Sequence, residues 1–185
     1  PVGEAVDAYI DSLGDASEDP FEVNPERSGS EAVLFTGAKI LGKNGRENNP
    51  IVSGEPVSFE FSYRNMKNVT KAYVAMTIYN DLGIAAANFD MEIRGYQIRS
   101  LCKEGIVRCH VKKLPLPLGR YRVAVAMIHK GMGMADHIPN ALIFNVESST
   151  FFQTGKTPQT RFSTCMVSHD WEHLPVAKPN LRPLA

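Results

Sequence analysis

Period-two alternation of apolar and polar residues dominates this chain beyond about residue 31. Between Gly105 and Ile128, Val107, Cys109 and Val111 fall on one face, with Arg108, His110 and Lys112 on the other. After Pro115, Pro117 and Gly119, the residues Tyr121, Val123, Val125 and Met127 share a face, opposite Arg122, Ala124, Ala126 and Ile128. Such alternation predicts half-buried strands. The prolines cannot donate to a ladder, so they predict a stiff turn that joins the two strands and fixes how they pair, at the edge of a sandwich. The same period places Val57, Phe59, Phe61 and Tyr63 inward, and sets Val74, Met76 and Ile78 against Tyr73, Ala75, Thr77 and Tyr79. Asn80-Asp81-Leu82-Gly83 has hairpin chemistry and leads into a strand over residues 84–88. Strands over 32–41 and 141–146, a turn at 42–45 and a loop at 131–134 complete the series.

Seven or eight strands with no helical period after residue 30 predict an all-β fold, two antiparallel sheets packed face to face. The flanks differ. Residues 4–13 have helical spacing and predict one short helix, and Pro20 and Pro25 make residues 15–30 a linker. Three parts follow: a linker with a short helix over 1–30, a sandwich over 31–171 and a tail over 172–185. The proline-broken C-terminal stretch offers one late strand near Cys165 and Val167, a candidate for pairing with a second copy of the chain.

Composition narrows the function. The 185 residues carry 20 Lys plus Arg and 20 Asp plus Glu, without the basic excess that duplex binding needs. Three cysteines without CxxC spacing argue against a disulfide framework and for a reducing compartment. No apolar run reaches the length of a membrane helix. A first residue other than Met, with no signal segment, leads us to expect a fragment of a longer cytosolic protein.

Residues 37–44 nearly spell a phosphate-binding loop. Asn44 replaces the hydroxyl residue and no helix is expected to follow, so a strand running into a turn is the better reading. His169 and His173 are spaced like a metal pair, but no third ligand is near and Pro175 marks a polar tail. His110, His129 and His137 are scattered, no nucleophile motif is present, and Cys109 reads as a small core residue. No cofactor or catalytic residue is expected. The outward face is more suggestive: Tyr73, Thr77 and Tyr79 beside Ala75, with Arg122 beside Ala124 and Ala126, would make a shallow groove. Aromatic rings cover the C–H face of a sugar while Arg and Thr bond its hydroxyls. Arg108 and His110, on the polar face of the neighbouring strand, complete the candidate carbohydrate-binding set.

Residues 32–41, Gly54-Glu55-Pro56-Val57-Ser58-Phe59-Glu60-Phe61, Ala75 to Gly83, Leu114 to Tyr121 and Ala141 to Val146 together resemble, in order and spacing, a known family. It is the C-terminal carbohydrate-binding domain of the ATP-binding (Wzt-type) subunit of O-antigen polysaccharide ABC transporters. The resemblance implies an immunoglobulin-like sandwich that binds undecaprenyl-linked polysaccharide and selects it for export, at the cytoplasmic face of the bacterial inner membrane. It also implies an N-terminal ATPase domain joining it to the transmembrane subunit, and a homodimer that exchanges a C-terminal strand. It carries no fixed set of sugar ligands. The competing readings are a protein–protein assembly module without glycan binding, and a glycan-processing enzyme.

Overall fold

The computed structural model describes residues 19–172, apart from 23, 48, 49 and 132. Its strands are β1 (Val33–Leu41), β2 (Ile51–Ser53), β3 (Val57–Asn65), β4 (Ala72–Asn80), β5 (Ala85–Asp90), β6 (Glu104–Val111), β7 (Gly119–His129) and β8 (Gly133–Ser149). A three-stranded sheet, β1-β3-β6, packs against a five-stranded sheet, β2-β8-β7-β4-β5. All pairs are antiparallel except β2 with β8. This is the all-β sandwich expected from the alternation. The expected inward positions of β3, β4 and β7 are buried. Phe59 of β3 meets Phe144 of β8 edge-on at 5.9 Å, and Tyr121 of β7 stacks on Phe144 at 5.6 Å. An aromatic cluster therefore bridges the two sheets; each such pair contributes about 0.5–1.5 kcal/mol beyond its buried area.

The stretch from 105 to 128 departs from expectation. β6 pairs with β3, whereas β7 pairs with β4 and β8, so the two strands sit in opposite sheets. The segment between them crosses the sandwich. Leu114 and Leu116 are fully buried, and Leu114 exchanges backbone bonds with Gly54 and Glu55. The Tyr121 hydroxyl donates to the Pro117 carbonyl at 2.9 Å, and burial pushes its phenol up to about 12. Alternating Leu and Pro suits a crossover: the leucines enter the core and the prolines have no N–H to leave unpaired.

β8 is far longer than the strand expected at 141–146, because the expected loop is a tight turn and pairing resumes at Gly133. It carries a bulge. Val123 pairs with Leu142 and Val125 with Ile138, leaving Pro139, Asn140 and Ala141 opposite Ala124, a place where a proline costs no ladder bond. β2 was not anticipated, since three residues are too few to show a period.

The two ends of the molecule are differently fastened. At one, Arg27 Nε and Nη2 reach the Asp136 carboxylate at 2.9 and 2.8 Å, and Phe35 N–H donates to the same group at 2.7 Å. Ser28 and His137 exchange backbone bonds, strapping residues 27–31 to the start of β8. At the other, Thr150 N–H donates to Ser53, and Gly54, at φ +86°, lies where a Cβ would come within 2.4 Å of Phe151 N. Only glycine fits there. The tail continues to Met166, which is buried and donates its N–H to the Pro115 carbonyl. That bond, and the Ser163 hydroxyl on the Cys165 carbonyl, take the groups a ladder would use, and the late strand expected near Cys165 is not formed within residues 150–172. The expected helix over 4–13 and the tail beyond 172 lie outside the described residues.

Candidate binding face

Four of the expected site residues share one surface, the outer face of the five-stranded sheet. Tyr73, Ala75, Thr77 and Tyr79 alternate outward along β4. The register sets them beside Ile128, Ala126, Ala124 and Arg122 of β7. Two rows of small side chains thus lie between a Tyr73–Ile128 wall and a Tyr79–Arg122 wall. The walls are six residues apart along β4, or about 20 Å at the rise of an extended strand. Arg122 rests on the Tyr79 ring, its guanidinium carbon 4.3 Å from the centroid, and donates to the Pro139 carbonyl at 3.1 Å. The bulge thereby aims Arg122, and the cation–π contact holds it in place. Across the floor, Asn88 of β5 donates to the Thr77 hydroxyl at 2.9 Å. Partial burial, and then the neighbouring Glu92 carboxylate, raise the Tyr73 phenol above its usual range, so Tyr73 presents a neutral hydroxyl.

Arg108 and His110 do not join this group. They project from β6, in the opposite sheet, because the Leu-Pro segment carries the chain across the sandwich. Arg108 is also engaged: its Nε donates to Glu60 at 2.8 Å, while Lys39 Nζ lies 2.8 Å from the other Glu60 oxygen. Glu60 is 2% exposed on an outward position of β3. The bonds from Lys39 and Arg108 hold its carboxyl below the usual range despite burial. His110 Nδ1 sits 2.8 Å from the Ser58 hydroxyl.

Sequence reasoning missed a cleft of about 620 Å³ between the β5 and β6 edges. Its floor is core: Phe61, Val74, Met76 and Val107. The segment after β5 and the β6 edge form the lip, with Tyr96, Ile93 and Ile106 largely exposed and Asn88, Arg94, Arg108 and His110 supplying polar groups. The signal available was the run Met91, Ile93, Tyr96 and Ile98, apolar residues inside a stretch that reads as polar.

The remaining motifs are structural in character. Residues 37–41 of the phosphate-loop look-alike lie on β1, with Gly37 at a bulge, and 42–44 lie in the turn that follows. The His169 ring meets Phe152 and Trp171 edge-on, and His173 lies outside the described residues. Among the described residues no three His, Cys, Asp or Glu side chains converge to hold a metal. Burial raises the Cys109 thiol, and that residue packs against the core.

A β-sandwich with a small-floored, aromatic-walled sheet face has the form of a binding module. The Wzt C-terminal domain family matches residues 24–157, and the chain belongs to that family. A crystal structure of the C-terminal domain of Wzt superposes with a TM-score of 0.66 at 14% identity, covering 86% of this chain and 98% of that one. At this identity the likeness shows the fold. A CARDB domain from Pyrococcus furiosus, crystallised with di-metal ions, covers 65% of this chain and 91% of its own at 13% identity; its TM-score of 0.33 carries no argument. No curated protein matches the chain. Family membership gives the domain a role in an O-antigen ABC transporter, and the family is of a non-catalytic, carbohydrate-binding type. Among the described residues no helix is long and apolar enough to cross a membrane.

Proposed function

We propose that the domain reads lipid-linked O-antigen polysaccharide on the outer face of the five-stranded sheet and selects it as cargo for export. The observation that carries this reading is the Tyr79–Arg122 wall, preorganised by the Pro139 carbonyl, beside a floor of Ala75, Thr77, Ala124 and Ala126. The C–H face of a sugar ring needs that combination: an aromatic plane, hydrogen-bonding groups fixed before the ligand arrives, and no bulk between them. Binding takes place at the cytoplasmic side of the inner membrane, with the transporter's ATPase and transmembrane subunits as partners and no catalytic step in this domain. The domain works as a homodimer. Phe162, Val167 and Trp171 of the tail are largely exposed, Trp171 at 92%, and an apolar edge of this kind favours a second copy over solvent.

Calorimetric titration of the full chain with its cognate polysaccharide and an unrelated one tests the reading. Binding is expected only to the first. Tyr79→Ala and Arg122→Ala should each weaken it by about tenfold, or ~1.4 kcal/mol, with melting temperature unchanged. Equal response to both polymers, or full affinity in both variants, would overturn it. Light scattering of the full chain tests the dimer, and a monomer at all concentrations would refute it.

A further inference from the structure

The two sheets end on the same flank, at β5 and β6, and their edges do not pair. On the opposite flank Asp136 ties β1 to β8. The sandwich is therefore closed on one side and open on the other, and the opening leads to Phe61 and Met76, side chains buried to 1 and 2% exposure. Its volume, about 620 Å³, lies within the range of small-ligand sites.

One strand separates this opening from the sheet face. Asn88 bonds Thr77 on the face and also lines the cleft, and Asp90, opposite Ala75 in the register, lines the cleft as well. A glycan crossing the face at right angles to the strands advances about one strand spacing, ~5 Å, per sugar. Beyond β5 its next ring comes to the cleft mouth.

The geometry points to the cleft as a subsite for a 6-deoxyhexose within that glycan, the C6 methyl descending toward Met76 and the ring hydroxyls remaining at the lip with Asn88 and Arg94. This rests on the reading of the sheet face given above. The chemistry of the floor selects the substituent. Phe61, Val74, Met76 and Val107 offer no hydrogen-bond partner, and the hydroxyl of Tyr63, which also lines the cleft, lies against Gly105 at the start of β6. Beside Met76 the C6 hydroxyl of an ordinary hexose would therefore lose its water bonds without replacement. An N-acyl group would bring an amide N–H and C=O to the same unpaired fate. A C6 methyl brings neither.

Methyl-detected NMR of the full chain labelled with [13C-methyl]methionine tests this, because Met76 and Met91 line the cleft while Met127 and Met166 are buried outside its lining. The probes are L-fucose against L-galactose, L-rhamnose against L-mannose, and N-acetylglucosamine. At least one 6-deoxy sugar should shift the Met76 and Met91 methyls, with an apparent affinity about tenfold or more above that of its 6-hydroxy counterpart. Ile106→Asp, at an exposed lip position, should abolish those shifts while leaving the Met127 and Met166 signals in place. Tyr79→Ala should preserve them. No shift with either deoxy sugar, equal shifts with the parent hexoses, or a stronger response to N-acetylglucosamine would each overturn the subsite. If the Met76 response appears while polysaccharide affinity survives Tyr79→Ala and Arg122→Ala, the subsite stands and the sheet-face reading falls.

Discussion

Glu60 is the residue whose environment departs furthest from what its position implies. It points outward from β3, yet the Lys39–Glu60–Arg108 register closes two cations over it. Its folded pKa is lowered, so its contribution is fully present above the unfolded carboxyl value of about 4.3 and disappears as pH falls through the folded value. Urea unfolding across pH should therefore show Glu60→Gln less stable than the parent near neutrality, with the gap closing in acid. Asp136 presents a starker case. Removing it strips Arg27 of its counter-charge, leaving that guanidinium only the Phe21 and Phe35 carbonyls, and leaves the Phe35 N–H unpaired. Asp136→Ala should therefore cost about 3 kcal/mol or more by denaturant titration. Neither role was legible in the sequence, because each depends on residues 21 to 109 positions apart. Inward-facing residues were legible, because burial follows from local alternation and needs no knowledge of partners.

At the level of elements, alternation located the strands and misjudged their connections. β3, β4 and β7 bury the residues that the period assigns. The Leu-Pro segment predicts a stiff turn joining paired strands where the structure has a crossover, since proline reports only what a backbone cannot do and leaves the destination of the next strand open. That crossover is what separates Arg108 and His110 from Arg122. The buried leucines carry the distinction, and Leu116→Ala should lower stability by about 2–5 kcal/mol in thermal melts, a loss out of scale for a solvated turn. The tail makes a parallel case: Met166→Ala should lower stability by about 2 kcal/mol, whereas Lys156→Ala, at an exposed position of the same tail, should leave it unchanged. The β8 bulge was hidden because Pro139 falls inside an otherwise continuous strand.

For the whole molecule, Lys plus Arg equal Asp plus Glu at 20 each, and the Lys39–Glu60–Arg108 charged cluster lies on the sheet opposite the proposed binding face. Association with a neutral glycan should then vary by less than about twofold between low and high salt, as titrations at several ionic strengths would show. The fastenings at the two ends have a consequence for traffic. β8 runs from the Arg27 clasp to the Thr150 anchor, so the chain approaches the sandwich at one pole and leaves it at the other. A polymer laid broadside over the proposed face would run between those poles and, among the described residues, cross neither mooring point.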